Sequence, residues 1–264
     1  MGVVVTDAEV TLADVLSLRL AIERPLAEGT RLVLRHRATG GERQVTLGSP
    51  GGRARDASVA VSLAPLRLEP GRWDAYLQQD GPRTRIQSVD PGFSLDRLDA
   101  YALGRRTMSY RAYRTRNGYL AIKIDQAGPV ADVRAVWFRE GRFEVTGLLA
   151  YTGLDDDDQH REATLALSHG DQAATVSVAA TVQGVRFHAA LSLCDVLAAT
   201  PDSQGVWEPS LEVDGVERPL RLGARLDDVE GKRRRVHYPS AFVDGVPIRP
   251  AFTAEDELRL EVGV

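Results

Sequence analysis

The chain repeats itself, and this restricts the folds open to it more than any other property. Gly71-Arg72-Trp73-Asp74-Ala75-Tyr76-Leu77-Gln78-Gln79-Asp80-Gly81 recurs as Gly205-Val206-Trp207-Glu208-Pro209-Ser210-Leu211-Glu212-Val213-Asp214-Gly215, at a constant offset of 134 residues. Downstream, Leu120, Ile122 and Ile124 match Leu258, Leu260 and Val262 at an offset of 138. Upstream, Ser62-Leu63 matches Ser192-Leu193 at 130. An offset that drifts this little reflects loops changing length while strands do not. Solenoid units run only about 20–50 residues, so a repeat of this length is a whole domain copied.

Alternation of apolar and polar residues fills both copies. Leu16, Leu18 and Leu20 alternate, as do Val59, Val61 and Leu63 in the first copy and Leu165 and Leu167 in the second. Such period-2 runs, bounded by Gly, Pro and Asp, are half-buried strands. Asn117-Gly118, Asp214-Gly215 and Asp244-Gly245 between them favour tight hairpins, because both central residues of a type I′ turn need positive φ. Leu193 to Ala199 and Asp96 to Leu103 are the helical candidates. The expected fold is all-β: a tandem pair of Ig-like antiparallel β-sandwich domains related by internal duplication. Repeat 1 spans 1–126 and repeat 2 spans 130–264, divided at Gly128-Pro129, where a strand cannot continue.

Composition narrows the function classes. The net charge of −4 and a pI near 5.8 leave no global case for nucleic acid as a partner. One cysteine, Cys194, excludes an intramolecular disulfide framework and suits a reducing compartment; it lies in an apolar run and is expected to be buried. No stretch approaches the roughly 18 apolar residues of a membrane span. Only Lys123 and Lys232 among 33 basic residues are lysine, a bias expected of a GC-rich bacterial genome.

Pro70-Gly71-Arg72-Trp73-Asp74-Ala75-Tyr76-Leu77, followed by Tyr113-Arg114-Thr115-Arg116-Asn117-Gly118-Tyr119-Leu120, resembles the β-rich C-terminal regions of actinobacterial cell-wall polymerases. These are wall teichoic acid-type glycosyltransferases and CDP-glycerol glycerophosphotransferases. The second copy departs from the pattern, with Ser210 in place of the tyrosine and Ala251 to Asp256 in place of the basic turn. The resemblance implies a non-catalytic module that oligomerises or engages anionic polysaccharide. Its partners would be a second copy of itself, an anionic glycopolymer or a transferase domain. It would work in the cytoplasm at the inner face of the cell membrane.

The residues that could carry binding cluster in one stretch. Arg111, Arg114 and Arg116 interleave with Tyr110 and Tyr113, pairing guanidinium forks suited to phosphate with ring faces suited to sugars. In an extended segment Arg114, Arg116 and Tyr110 share one face, offering two phosphate ligands beside a stacking ring. Arg234 and Arg235, in the run Lys232 to Arg235 near Tyr238, occupy the matching place in the second copy. The same residues also suit a solvated hairpin with arginine stems lying along apolar surface. Asp155 to Asp158 lack the alternating ligands and central glycine of a Ca²⁺ loop and are expected to be a solvated loop. The five histidines lack zinc spacing and default to surface or strand edge, so no metal or cofactor is expected. No catalytic constellation is present. The alternatives left open are a small β-sandwich enzyme of bacterial secondary metabolism with its site at the domain junction, and a plain spacer.

Overall fold

A computed structural model describes residues 2–47, 56–90, 95–170, 175–226, 229 and 231–264, with backbone alone at 95–97. The chain divides into two compact units. One is Met1–Tyr101 with Arg106–Ala127; the other is Ala102–Arg105 with Gly128–Val264. The turn signals at Pro50-Gly51-Gly52 and Pro91-Gly92 fall outside the described residues.

The first unit contains β1 (Val3–Val10), β2 (Val15–Ile22), β3 (Arg31–His36), β4 (Glu42–Thr46), β5 (Asp56–Ser62), β6 (Gly71–Gln78), β7 (Thr84–Arg85), β8 (Gln87–Ser88), β9 (Met108–Arg114) and β10 (Leu120–Gln126). The helix α1 (Leu95–Leu103) precedes β9. Two sheets form, one ordered β5-β2-β1-β8 and the other β4-β3-β6-β10-β9 with β7 on β6. Alternation places Leu16, Leu18 and Leu20 of the first sheet against Leu34, Trp73, Leu77 and Ile122 of the second in one buried cluster. The crossing between sheets is made at Ile86, whose N–H donates to Ala75 O (3.1 Å) while its carbonyl accepts from Leu120 N–H (3.0 Å). On one side β7 pairs β6; on the other β8 pairs β1 in parallel.

The second unit contains β11 (Val130–Arg139), β12 (Arg142–Ala150), β13 (His160–His169), β14 (Thr175–Gln183), β15 (Arg186–Ser192), β16 (Gly205–Val213), β17 (Leu220–Gly223), β18 (Ala241–Val243), β19 (Val246–Phe252) and β20 (Leu258–Val262). Two short helices, α2 (Leu193–Ala198) and α3 (Lys232–Arg235), lie between strands. All ten strands join one sheet, ordered β13-β14-β15-β12-β11-β17-β16-β20-β19-β18, and the β13–β16 pairing closes its first seven into a barrel-like ring. This corrects the expectation of two separate sheets in the second copy. The reason is local. Gly184, at φ 58°, turns the chain so tightly that Gln183 stays opposite Arg186 and β14 remains bonded to β15. One uninterrupted strand, β17, then pairs both β16 and β11, where the first unit uses β7 and β8.

Corresponding registers recur in the two units. His36 lies opposite Trp73 and His169 opposite Trp207. Trp73 pairs Ile122 across β6–β10, and Trp207 pairs Leu260 across β16–β20. The β1–β2 ladder shifts register between Val5 and Asp7, and the β11–β12 ladder between Val133 and Ala135. Among the described residues no helix is long and apolar enough to cross a membrane.

Helical periodicity also corrects one expectation. In α2 it turns Leu193 and Val196 inward and Cys194 outward, so the thiol is exposed.

Candidate functional site

The strongest sequence candidate, Tyr110 to Arg116, runs along β9 into its hairpin with β10. Thr115 organises the turn. Its N–H donates to Tyr119 O (2.8 Å), its carbonyl accepts from Gly118 N–H (2.8 Å) and its hydroxyl accepts from Tyr119 N–H (3.0 Å). Gly118, at φ 77°, is left-handed but Asn117 is not, so the longer loop between Arg114 and Leu120 replaces the expected type I′ turn. Arg114 ends the strand and Arg116 lies within the turn. Both are exposed, and among the described residues neither meets a carboxylate.

The alternation along β9 sorts the other candidates. Tyr110 faces inward and belongs to the core, only 8% exposed, so its ring offers no stacking surface. Burial and the Asp14 charge both push its phenol upward. Arg111 and Tyr113 face outward and are half-buried. Lys123 lies opposite Arg111 on β10, and Arg72 lies opposite Lys123 on β6. Three strands thus place a row of cations across the outer face of the sheet. Asp125 partly balances it, with Oδ2 3.9 Å from Arg111 Nη2 and 3.6 Å from Lys123 Nζ. Two residues along β6, Asp74 is buried beneath Arg72 (2.9 Å), Arg85 (2.8 Å) and Arg37 (3.5 Å). The Arg85 guanidinium also covers the Tyr119 ring at 4.4 Å.

In the second unit Arg234 and Arg235 are exposed on α3. Lys232, from the same run, is buried: its ammonium donates to Val229 O (2.8 Å) and lies 3.9 Å from Asp256 Oδ2. The turn at Thr253 repeats the Thr115 geometry. Its N–H donates to Glu257 O (2.8 Å) and its hydroxyl accepts from Glu257 N–H (3.2 Å), with Asp256 at φ 60° where Gly118 stands in the first unit. The frame is the same, but its residues are acidic.

Other candidates settle into structural work. Asp156 pairs Arg186 (2.5 Å) and Asp157 pairs Arg161 (3.3 Å). Among the described residues no group of three His, Cys, Asp or Glu side chains could hold a metal ion. His36 is buried and His169 half-buried, each at the end of its strand. Their rings lie 5.0 and 5.1 Å from Trp73 and Trp207, tilted 47° and 52°. Sequence reasoning missed this pair, although residues 36 and 169 are 133 apart, within one residue of the tryptophan offset.

No protein-family model matches the chain, and no curated protein does. Among solved structures it is similar to S. aureus TarS 217–571, at 12% identity and a TM-score of 0.37, covering 72% of this chain and 54% of that one. A second S. aureus TarS structure gives 12% and 0.38, covering 72% and 35%. A pullulanase complexed with maltotriose, from Anoxybacillus sp. LM18-11, gives 9% and 0.27, covering 83% and 25%. The chain therefore spans about half or less of these proteins, and similarity at this level says nothing of activity or ligand.

Proposed function

We propose that the chain is a non-catalytic pair of duplicated β-units associated with a cell-envelope glycopolymer transferase, and that the β9–β10 hairpin engages an anionic polysaccharide. The observation that carries the binding reading is the exposed pair Arg114 and Arg116, without a carboxylate partner among the described residues, on a turn where Thr115 donates one hydrogen bond and accepts two. A fixed turn lowers the entropic cost of presenting two guanidiniums together. The neighbouring row of Arg111, Lys123 and Arg72 extends the positive field along the sheet. The duplication is supported by the repeated histidine–tryptophan pairs, the repeated strand registers and the repeated threonine-centred turn. The resemblance in the sequence supports the transferase association.

Titration with a polyglycerol phosphate at two ionic strengths, using the intact chain and an Arg114→Ala/Arg116→Ala variant, tests the binding. Each solvent-exposed ionic contact contributes about 0.2–1 kcal/mol, so the variant should bind about two- to thirtyfold more weakly. Equal affinity for both proteins would leave the hairpin as a solvated face.

Self-association is a second reading, favoured by β18. This strand ends the ten-stranded sheet and exposes Phe242 by 71%. A sheet edge with unpaired backbone groups and an uncovered aromatic ring suits pairing with a second copy.

A further inference from the structure

Outside the hairpin, the second unit holds a pocket of about 320 Å³ between the segment that follows α3 and the outer face of β19 and β20. Its size lies at the lower end of the roughly 300–1,000 Å³ of small-molecule sites. Register builds the floor. Arg249 lies directly opposite Glu261, and Arg259 lies two residues before Glu261 on the same strand, so all three project from one face. Glu261 is only 5% exposed, with Oε2 2.8 Å from Arg249 Nε and Oε1 bonded to an Arg259 Nη2 donor. Arg233, His237 and Tyr238 complete the walls, and the Tyr238 ring rests 6.2 Å from that of Phe252.

Two features indicate that this pocket is built for a ligand. Two guanidiniums, Arg249 and Arg259, clasp the one carboxylate, and a third, Arg233, lines the same pocket, so its arginines outnumber its single carboxylate. In addition, Arg259 Nε is buried with no hydrogen-bond partner. A buried donor left unmade is costly in a folded protein, and an oxygen entering the pocket would satisfy it. Guanidiniums bind carboxylates and phosphates alike through forked hydrogen bonds, and the charge surplus here favours the more highly charged phosphate. A tyrosine face beside them suits the apolar face of a sugar ring.

We propose that this pocket binds a phosphorylated sugar, with the phosphate on Arg259, Arg249 and Arg233 and the sugar ring against Tyr238. The site is independent of the hairpin reading, and its test separates the two. Calorimetric titration of the full chain would use glucose 1-phosphate, glucose and inorganic phosphate. Glucose 1-phosphate should bind at least tenfold more tightly than glucose and several-fold more tightly than phosphate. Arg259→Gln should weaken it at least fivefold. Arg233→Ala, at an exposed helix position that leaves the Glu261 pairs intact, should weaken it at least threefold; Tyr238→Ala should abolish the preference over phosphate. The Arg114→Ala/Arg116→Ala variant should bind it unchanged. Absent binding at millimolar concentration, glucose binding as well as its phosphate, or Arg233→Ala binding like the parent would each overturn the proposal. Equal affinity for phosphate and glucose 1-phosphate would overturn the role of Tyr238.

Discussion

At Gly71 and Gly205 the absence of a side chain is what lets a histidine lie against a tryptophan. A Cβ at either position would overlap the Nε2 atom of His36 or His169, and Gly71 also sits at φ 131°. Gly71→Ala and Gly205→Ala should therefore each destabilise their unit by about 1–3 kcal/mol through overpacking, Gly71→Ala the more. Trp73→Ala and Trp207→Ala should cost about 3–5 kcal/mol each, since both indoles are at most 2% exposed. Denaturant titration measures all four.

A second residue-scale consequence concerns Tyr101. Its hydroxyl donates to Asp14 Oδ1 (2.6 Å), and the Arg106 guanidinium covers its ring at 3.8 Å while binding the same carboxylate (2.7 Å). Burial, then the bond to Asp14, raises its ionisation well above the ordinary 10.0, against the opposing pull of Arg106. The unfolded chain would ionise near 10, the folded one only at higher pH. Stability from the neutral phenol is therefore complete below about pH 10 and is lost as pH rises beyond it. Thermal unfolding between pH 8 and 11 should show a steeper fall for the parent than for Tyr101→Phe; parallel curves would reject the linkage.

At the scale of elements, the turns at Asn117-Gly118, Asp214-Gly215 and Asp244-Gly245 divided: Asn117 and Asp214 keep negative φ, so Gly118 and Gly215 alone are left-handed there, and only the last has both central residues at positive φ. Asp244 and Gly245, at φ 50° and 81°, hold Val243 opposite Val246 in the two-residue hairpin that Asp-Gly predicts. The helical candidates became α1 and α2. The edge was not legible in this way, because Ala241-Phe242-Val243 has the composition of a buried strand, and only the sheet order shows that among the described residues no strand but β19 pairs with β18. If that edge mediates self-association, Phe242→Lys should lower the mass seen by light scattering at micromolar concentration. An unchanged mass would exclude it.

For the whole molecule the governing quantity is charge. A net charge of −4 repels a polyanion overall, so binding at Arg114 and Arg116 must rest on a local field. Raising the ionic strength from 0.01 to 0.15 M shortens the screening length from about 30 to 8 Å. Affinity for polyglycerol phosphate should fall over that range, and less steeply in the double arginine variant. Salt-independent binding would point to a neutral surface.

The sequence by itself determined the strands, the Asp244-Gly245 hairpin and the repeated Gly-x-Trp skeleton, because backbone preference and alternate burial are written within a few neighbouring residues. Only the tertiary structure decided that Tyr110 turns inward, that Glu261 is clasped by two arginines, and that the second unit closes into a ring. Those outcomes depend on which residues far apart in the chain come opposite one another. A shift of one residue in register reverses every side chain, and the length of a single turn such as that at Gly184 determines which strands stay bonded.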